Sequence, residues 1–183
     1  LGSGAAGATA VATVQDVVYL GLSGLAPQLV ALRQLPVDPG LDYNGGSSGD
    51  DLGLDAMPGL GGSGTPANGA LLKIVDVIAG FGGRVYVANN GGLMRSTVAQ
   101  PHSFGAIPAD WATCTPSHAA YAARTSITAL LGSNLEPRQR AVPALAAWQG
   151  RLFAIRNAED GPQLWMCDPA ASGDPAACDT DDW

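Results

Sequence analysis

The sequence predicts an all-β fold of repeated antiparallel β-meanders, and three observations carry that prediction. Tyr19, Tyr86 and Phe153 stand 67 residues apart, each inside a similar stretch: TVQDVVYLGL at 13–22, GFGGRVYVAN at 80–89 and AWQGRLFAIR at 147–156. Each stretch sets apolar residues on both sides of a two-residue centre, the pattern of a tight hairpin. The 25 Gly and 13 Pro interrupt nearly every window long enough for a stable helix.

The elements follow in order. Each unit opens with a short apolar segment, at 11–14, 74–81 and 144–148. Gln15-Asp16, Gly82-Gly83 and Gln149-Gly150 then supply the turn, where glycine provides the positive φ of a two-residue hairpin. A second strand follows, VVYLGL, RVYVAN or RLFAIR, rich in residues that suit a half-buried pleated surface. The third strand reads PQLVAL at 27–32, GGLMRS at 91–96 and PQLWMC at 162–167, with Leu29, Leu93 and Leu164 in equivalent places. One repeat domain therefore spans 1–183, with units at about 9–70, 71–140 and 141–183.

Longer excursions separate the units. Residues 34–70 read as a Gly- and Asp-rich loop. Residues 97–140 hold ADWATCTP, the one helical candidate SHAAYAART at 117–125, and TSITALL at 125–131, which reads as a fourth strand. DDW at 181–183 matches ADW at 109–111. The last unit is thus expected to stop partway, leaving a strand edge that needs a partner or a cover.

Meanders of about four strands in series resemble the blades of bacterial β-propeller repeats of the broad Kelch-like or quinoprotein-like kind. The resemblance rests on the three hairpins and covers most of the chain outside 34–70. GFGGRVYVANNGG is similar to a Kelch blade in setting a glycine pair beside an apolar strand, although here the pair forms the first turn and the Trp spacing differs. There is no sialidase-type Asp-box and no WD signature. The resemblance implies propeller-like blades. Since the repeat supplies fewer than three blades, an incomplete propeller is expected, completed by further repeats of the same polypeptide, a second chain or self-assembly. Small residues such as Ala12, Ala144, Ala146 and Ala147 suit an innermost strand near a crowded axis.

Composition narrows the function. A formal charge of −7 and the lack of a basic cluster disfavour nucleic acid and anionic lipid. No apolar run reaches the length of a transmembrane helix. At 46% hydrophobic and 14% charged residues, the chain does not have the composition of a disordered one. Cys167 and Cys178 bound one loop, CDPAASGDPAAC, and are expected to form a disulfide; Cys114 is then left over. Such a bond points to a secreted, periplasmic or outer cell-surface location.

Candidate sites are few. Asp38, Asp42, Asn44, Asp50, Asp51 and Asp55 offer hard oxygens for a calcium ion, without EF-hand spacing. Asp168, Asp174, Asp179, Asp181 and Asp182 form a second acidic group around the expected disulfide, readable as turns or a cation rim. Ser47 in GGSSG and the GLGGSG run at 59–64 match nucleophile-elbow and phosphate-loop patterns in form only, lacking the strand–turn–helix setting. His102 and His118 are read as loop or surface residues, and no catalytic residue is assigned. Trp111, Trp148, Trp165 and Trp183 recur with the repeat and are expected to pack between its units, although an exposed Trp could anchor a protein or stack on a sugar. Arg84 and Arg151 share one repeat position and are expected to meet a carboxylate or carbonyl. The reading that follows is a non-enzymatic structural or adhesive β-repeat module within a larger assembly. The alternative is a carbohydrate-binding or polysaccharide-acting propeller.

Overall fold

The computed structural model describes residues 5–24, 29–34, 52–56, 75–89, 92–99, 101, 110–124, 141–171 and 173–183. These residues form three antiparallel sheets and one helical turn. The first sheet runs β1 (Ala5–Val14), β2 (Val17–Gly24), β3 (Leu29–Gln34) and β4 (Leu52–Ala56). The second runs β5 (Val77–Phe81), β6 (Arg84–Asn89), β7 (Gly92–Ser96) and β8 (Trp111–Thr113). After α1 (Ala119–Ala122), the third runs β9 (Ala144–Trp148), β10 (Arg151–Ala158) and β11 (Gly161–Cys167). Each is a meander in which neighbours in sequence are neighbours in space.

The three first hairpins share one backbone form. Both turn residues have positive φ in each: Gln15 49° and Asp16 62°, Gly82 56° and Gly83 72°, Gln149 47° and Gly150 73°. That twist matches the twist of the flanking strands. Register extends the equivalence. Tyr19 pairs with Ala31, Tyr86 with Arg95 and Phe153 with Met166. Two steps along, Leu29, Leu93 and Leu164 pair with Gly21, Ala88 and Ile155, so the expected leucine correspondence holds strand for strand.

Two expectations about the excursions change. The stretch read as a loop contains β4, which pairs with β3 from Val30 to Gln34. Alternating Leu52 and Leu54 carry a strand pattern that the surrounding Gly and Asp obscure. The fourth strand of the second sheet is β8, within ADWATCTP; TSITALL lies outside the described residues. The match between ADW and DDW is structural: Thr97 N–H donates to the Asp110 carbonyl at 2.8 Å, and Asp168 N–H donates to the Asp182 carbonyl at 2.9 Å. Trp183 thus stands where Trp111 opens β8. The helical candidate shortens to α1, whose start is capped by His118 Nδ1 accepting from Ala120 N–H at 3.1 Å.

Packing between the sheets follows the alternation of side chains along each strand. Each sheet has a front face, carrying Tyr19, Tyr86 or Phe153, and a back face, carrying Val18, Val85 or Leu152. The first core joins Val14, Val17 and Tyr19 on the front of the first sheet to Ile78, Val85, Val87, Met94 and Trp111 on the back of the second, with Val75 between. The second core joins Tyr86, Ala88 and Leu93 on the front of the second sheet to Leu152, Ala154 and Cys167 on the back of the third. The same front-on-back contact is therefore made twice. It brings the first strands together: β5 lies against both β1 and β9. Close approach at the first contact depends on glycine, because a Cβ at Gly21 would fall 2.7 Å from Val75 and one at Gly80 would fall 3.0 Å from Val14.

Candidate functional site

Among the described residues, no sheet packs on the front face of the third sheet. Leu164 is 70% exposed, Trp148 62%, Met166 44% and Ile155 40%, and Phe153 is half-buried beside them. Register places these side chains on one face: Phe153 opposite Met166 and Ala146, Ile155 opposite Leu164 and Ala144, and Arg151 opposite Trp148. Trp148 and Phe153 have ring centroids 6.3 Å apart. At the equivalent positions of the second sheet, Leu93 and Tyr86 are buried by the third. A water-exposed Leu, Ile or Met forgoes part of the ~1.5–3 kcal/mol that full burial contributes, so an exposed cluster of four large apolar chains favours a cover.

At the opposite end of the stack, no sheet among the described residues packs on the back face of the first sheet. On the back face of the first sheet, Val11 is 67% exposed and Thr13 is exposed, whereas Val18 and Leu20 are half-buried. Ile78, the counterpart of Val11 in the second sheet, is 6% exposed because the first sheet covers it.

A disulfide-bonded bracket fixes the third sheet to the second. Cys167 and Cys178 are bonded and buried, as their spacing predicts. From this loop Cys178 N–H donates to Tyr86 Oη at 2.8 Å, and the Arg95 guanidinium donates to Asp179, with Nε at 3.0 Å. Gly82 lies under the same loop, where a Cβ would overlap the Ala176 carbonyl. Burial pushes the Tyr86 phenol up to about 12, with the Cys178 N–H opposing the shift. Burial also pushes the Tyr121 phenol up to about 12, opposed by the nearby Arg156 charge. Cys114 is a free thiol, fully buried, and desolvation raises its pKa.

The second acidic group is occupied by local bonds. Asp168 pairs with Arg151 at 3.1 Å, which places one of the two repeated arginines against a carboxylate as expected. Asp179 pairs with Arg95, Asp181 accepts from the Ser117 hydroxyl at 2.6 Å, and Asp174 accepts from Ala176 N–H at 2.9 Å. Asp182 is buried and accepts from Asp179 N–H at 2.7 Å. Among the described residues no three acidic, His or Cys side chains are grouped to hold a metal. Of the calcium candidates, Asp38, Asp42, Asn44, Asp50 and Asp51 lie outside the described residues, and Asp55 contributes backbone to β4 opposite Ala31. Ser47, the 59–64 run and His102 also lie outside them.

The tryptophans divide. Trp111 is buried between the first two sheets, and Trp165 and Trp183 are half-buried at the second core. Trp165 packs edge-on against Tyr121, with centroids 5.1 Å apart, and Arg156 lies 3.9 Å above the Tyr121 ring. Trp148 corrects the expectation of packing within the chain: it stands on the open face. The open face was missed in the sequence because Phe153, Ile155 and Leu164 match buried Tyr86, Ala88 and Leu93 in the second unit; the readable signal was the order of the units. Comparison of the chain with protein families, curated proteins and solved structures finds no match.

Proposed function

We propose that this chain is a non-enzymatic structural and adhesive module, secreted or at the cell surface, whose three sheets serve as propeller-like blades within a larger assembly. The observation that carries this reading is the open front face of the third sheet, which repeats a surface that is covered twice elsewhere in the same chain. Side-by-side first strands support the blade reading, since a propeller gathers the first strand of each blade around its axis. The disulfide supports an oxidising compartment. Native mass spectrometry of the protein from its natural source tests the proposal. It predicts a particle heavier than the chain's 18.4 kDa. A homogeneous particle of that mass, with Leu164 and Trp148 still exposed, would contradict it.

A second reading has one observation in its favour. Trp148 beside Phe153 forms an exposed aromatic platform of the kind that stacks on sugar rings. A carbohydrate-binding or polysaccharide-acting propeller would use it. Glycan-array binding lost in Trp148→Ala would move the assignment there, and no binding above background would leave the structural module.

A further inference from the structure

We propose that the front face of the third sheet receives the back face of the first sheet of a second copy of this chain, head to tail; this rests on the assembly reading above and names its partner. Two observations specify that occupant. The first is continuity. Within one chain the front of the first sheet packs on the back of the second, and the front of the second packs on the back of the third. Among the described residues the sheet faces left over are one front, with Trp148, Ile155, Leu164 and Met166, and one back, with Val11, Thr13, Val18 and Leu20. They are the two halves of a contact the fold already makes twice.

The second observation is side-chain size. At one front position the three sheets carry Gly21, Ala88 and Ile155. Gly21 stands directly against Val75, and Ala88 shares its core with Val142, which lies 67 residues after Val75. The residue 67 before Val75 is Ala8, which is exposed. Small stands with large within the chain: Gly21 lies against Val75, and Ala88 lies in one core with Val142. Between copies the sizes reverse, so that Ile155 meets the Ala8 of the second copy. A valine there would crowd Ile155; the alanine makes room. Head-to-tail contacts of this kind close into a ring or run on as a filament. Two copies carry six sheets, which falls within the usual range of ring-shaped β-repeat proteins, so the expected product is a closed dimer.

The experiment uses the full chain with its disulfide intact and follows mass by light scattering and sedimentation, at concentrations up to ~100 µM. The unchanged chain is expected to dimerise. Ile155→Asp, which spoils only the front, and Val11→Asp, which spoils only the back, should each raise the dimer dissociation constant at least ~10-fold. Mixing the two variants should restore a 1:1 dimer, because one intact front then meets one intact back. Circular dichroism checks that each variant keeps its sheets, and Leu164→Asp replaces Ile155→Asp if that variant does not fold. Three results would overturn the proposal: an unchanged chain that stays monomeric, a Val11→Asp chain that dimerises normally, or a mixture that stays monomeric. A monomeric pure chain alongside a heavy native particle would sink only this pairing and leave the assembly reading standing. A native particle of the chain's own mass would sink both.

Discussion

Gly82→Ala isolates what the disulfide bracket contributes. Gly82 has φ 56°, and the equivalent first turn positions are Gln15 and Gln149, with φ of 49° and 47°. A side chain is therefore compatible with this turn, at a cost of about 1 kcal/mol for the left-handed backbone. Only at Gly82 does the Ala176 carbonyl occupy the space a Cβ would take. The bracket must move for alanine to fit, which strains the bond from Cys178 N–H to Tyr86, worth about 1 kcal/mol. It also strains the Arg95–Asp179 pair, where Asp179 is 40% exposed and the contribution is at most about 1 kcal/mol. The expected loss is thus ~3 kcal/mol in the disulfide-bonded chain, read from urea unfolding. In a background with both Cys167 and Cys178 replaced by Ser, the bracket is free to move and the loss should fall to ~1 kcal/mol. A loss of ~1 kcal/mol in the bonded chain, or the full loss in both backgrounds, would refute this account of the bracket.

Three further outcomes follow from the same structure. Asp16→Gly should stabilise the chain by about 0.5 kcal/mol in thermal or urea unfolding, because Asp16 holds φ 62° where the other two turns have Gly83 and Gly150. Replacing Cys178 by Ser should cost about 3 kcal/mol through the looser unfolded chain, with the urea midpoint falling accordingly. Stability should also fall as pH rises from about 10 towards 12. The buried phenols of Tyr86 and Tyr121 keep their protons in that range while those of the unfolded chain ionise, so the unfolded state binds fewer protons and gains. Tyr121→Phe should weaken that dependence in unfolding curves taken across the interval.

Much of the fold was legible because the repeat is written in local chemistry. A two-residue turn with apolar flanks fixes a hairpin without reference to the rest of the chain, and all three hairpins formed where Gln15-Asp16, Gly82-Gly83 and Gln149-Gly150 placed them. The third strands were found through Leu29, Leu93 and Leu164, since register preserves the face of each residue. The fourth strands were harder to see. β4 is short and lies among Gly and Asp, and β8 has three residues, held by pairing with β7 rather than by its own propensity. The candidate site was the least legible part. Ile155 and Leu164 look like Ala88 and Leu93 in a periodic reading, and only the stacking of whole sheets separates the buried pair from the exposed one. Trp148 was assigned to packing for the same reason.

Hydroxyl-radical footprinting of the isolated chain and of the native particle tests the stacked arrangement most directly. In the isolated chain, kept dilute, oxidation should be fast at Trp148, Leu164 and Met166 and slow at Leu93, Met94 and Tyr86, as their exposure dictates. In the native particle the first group should become as slow as the second. Equal rates at Leu164 and Leu93 in the dilute chain would contradict front-on-back stacking, and fast oxidation of Trp148, Leu164 and Met166 in the native particle would contradict a cover on the open face.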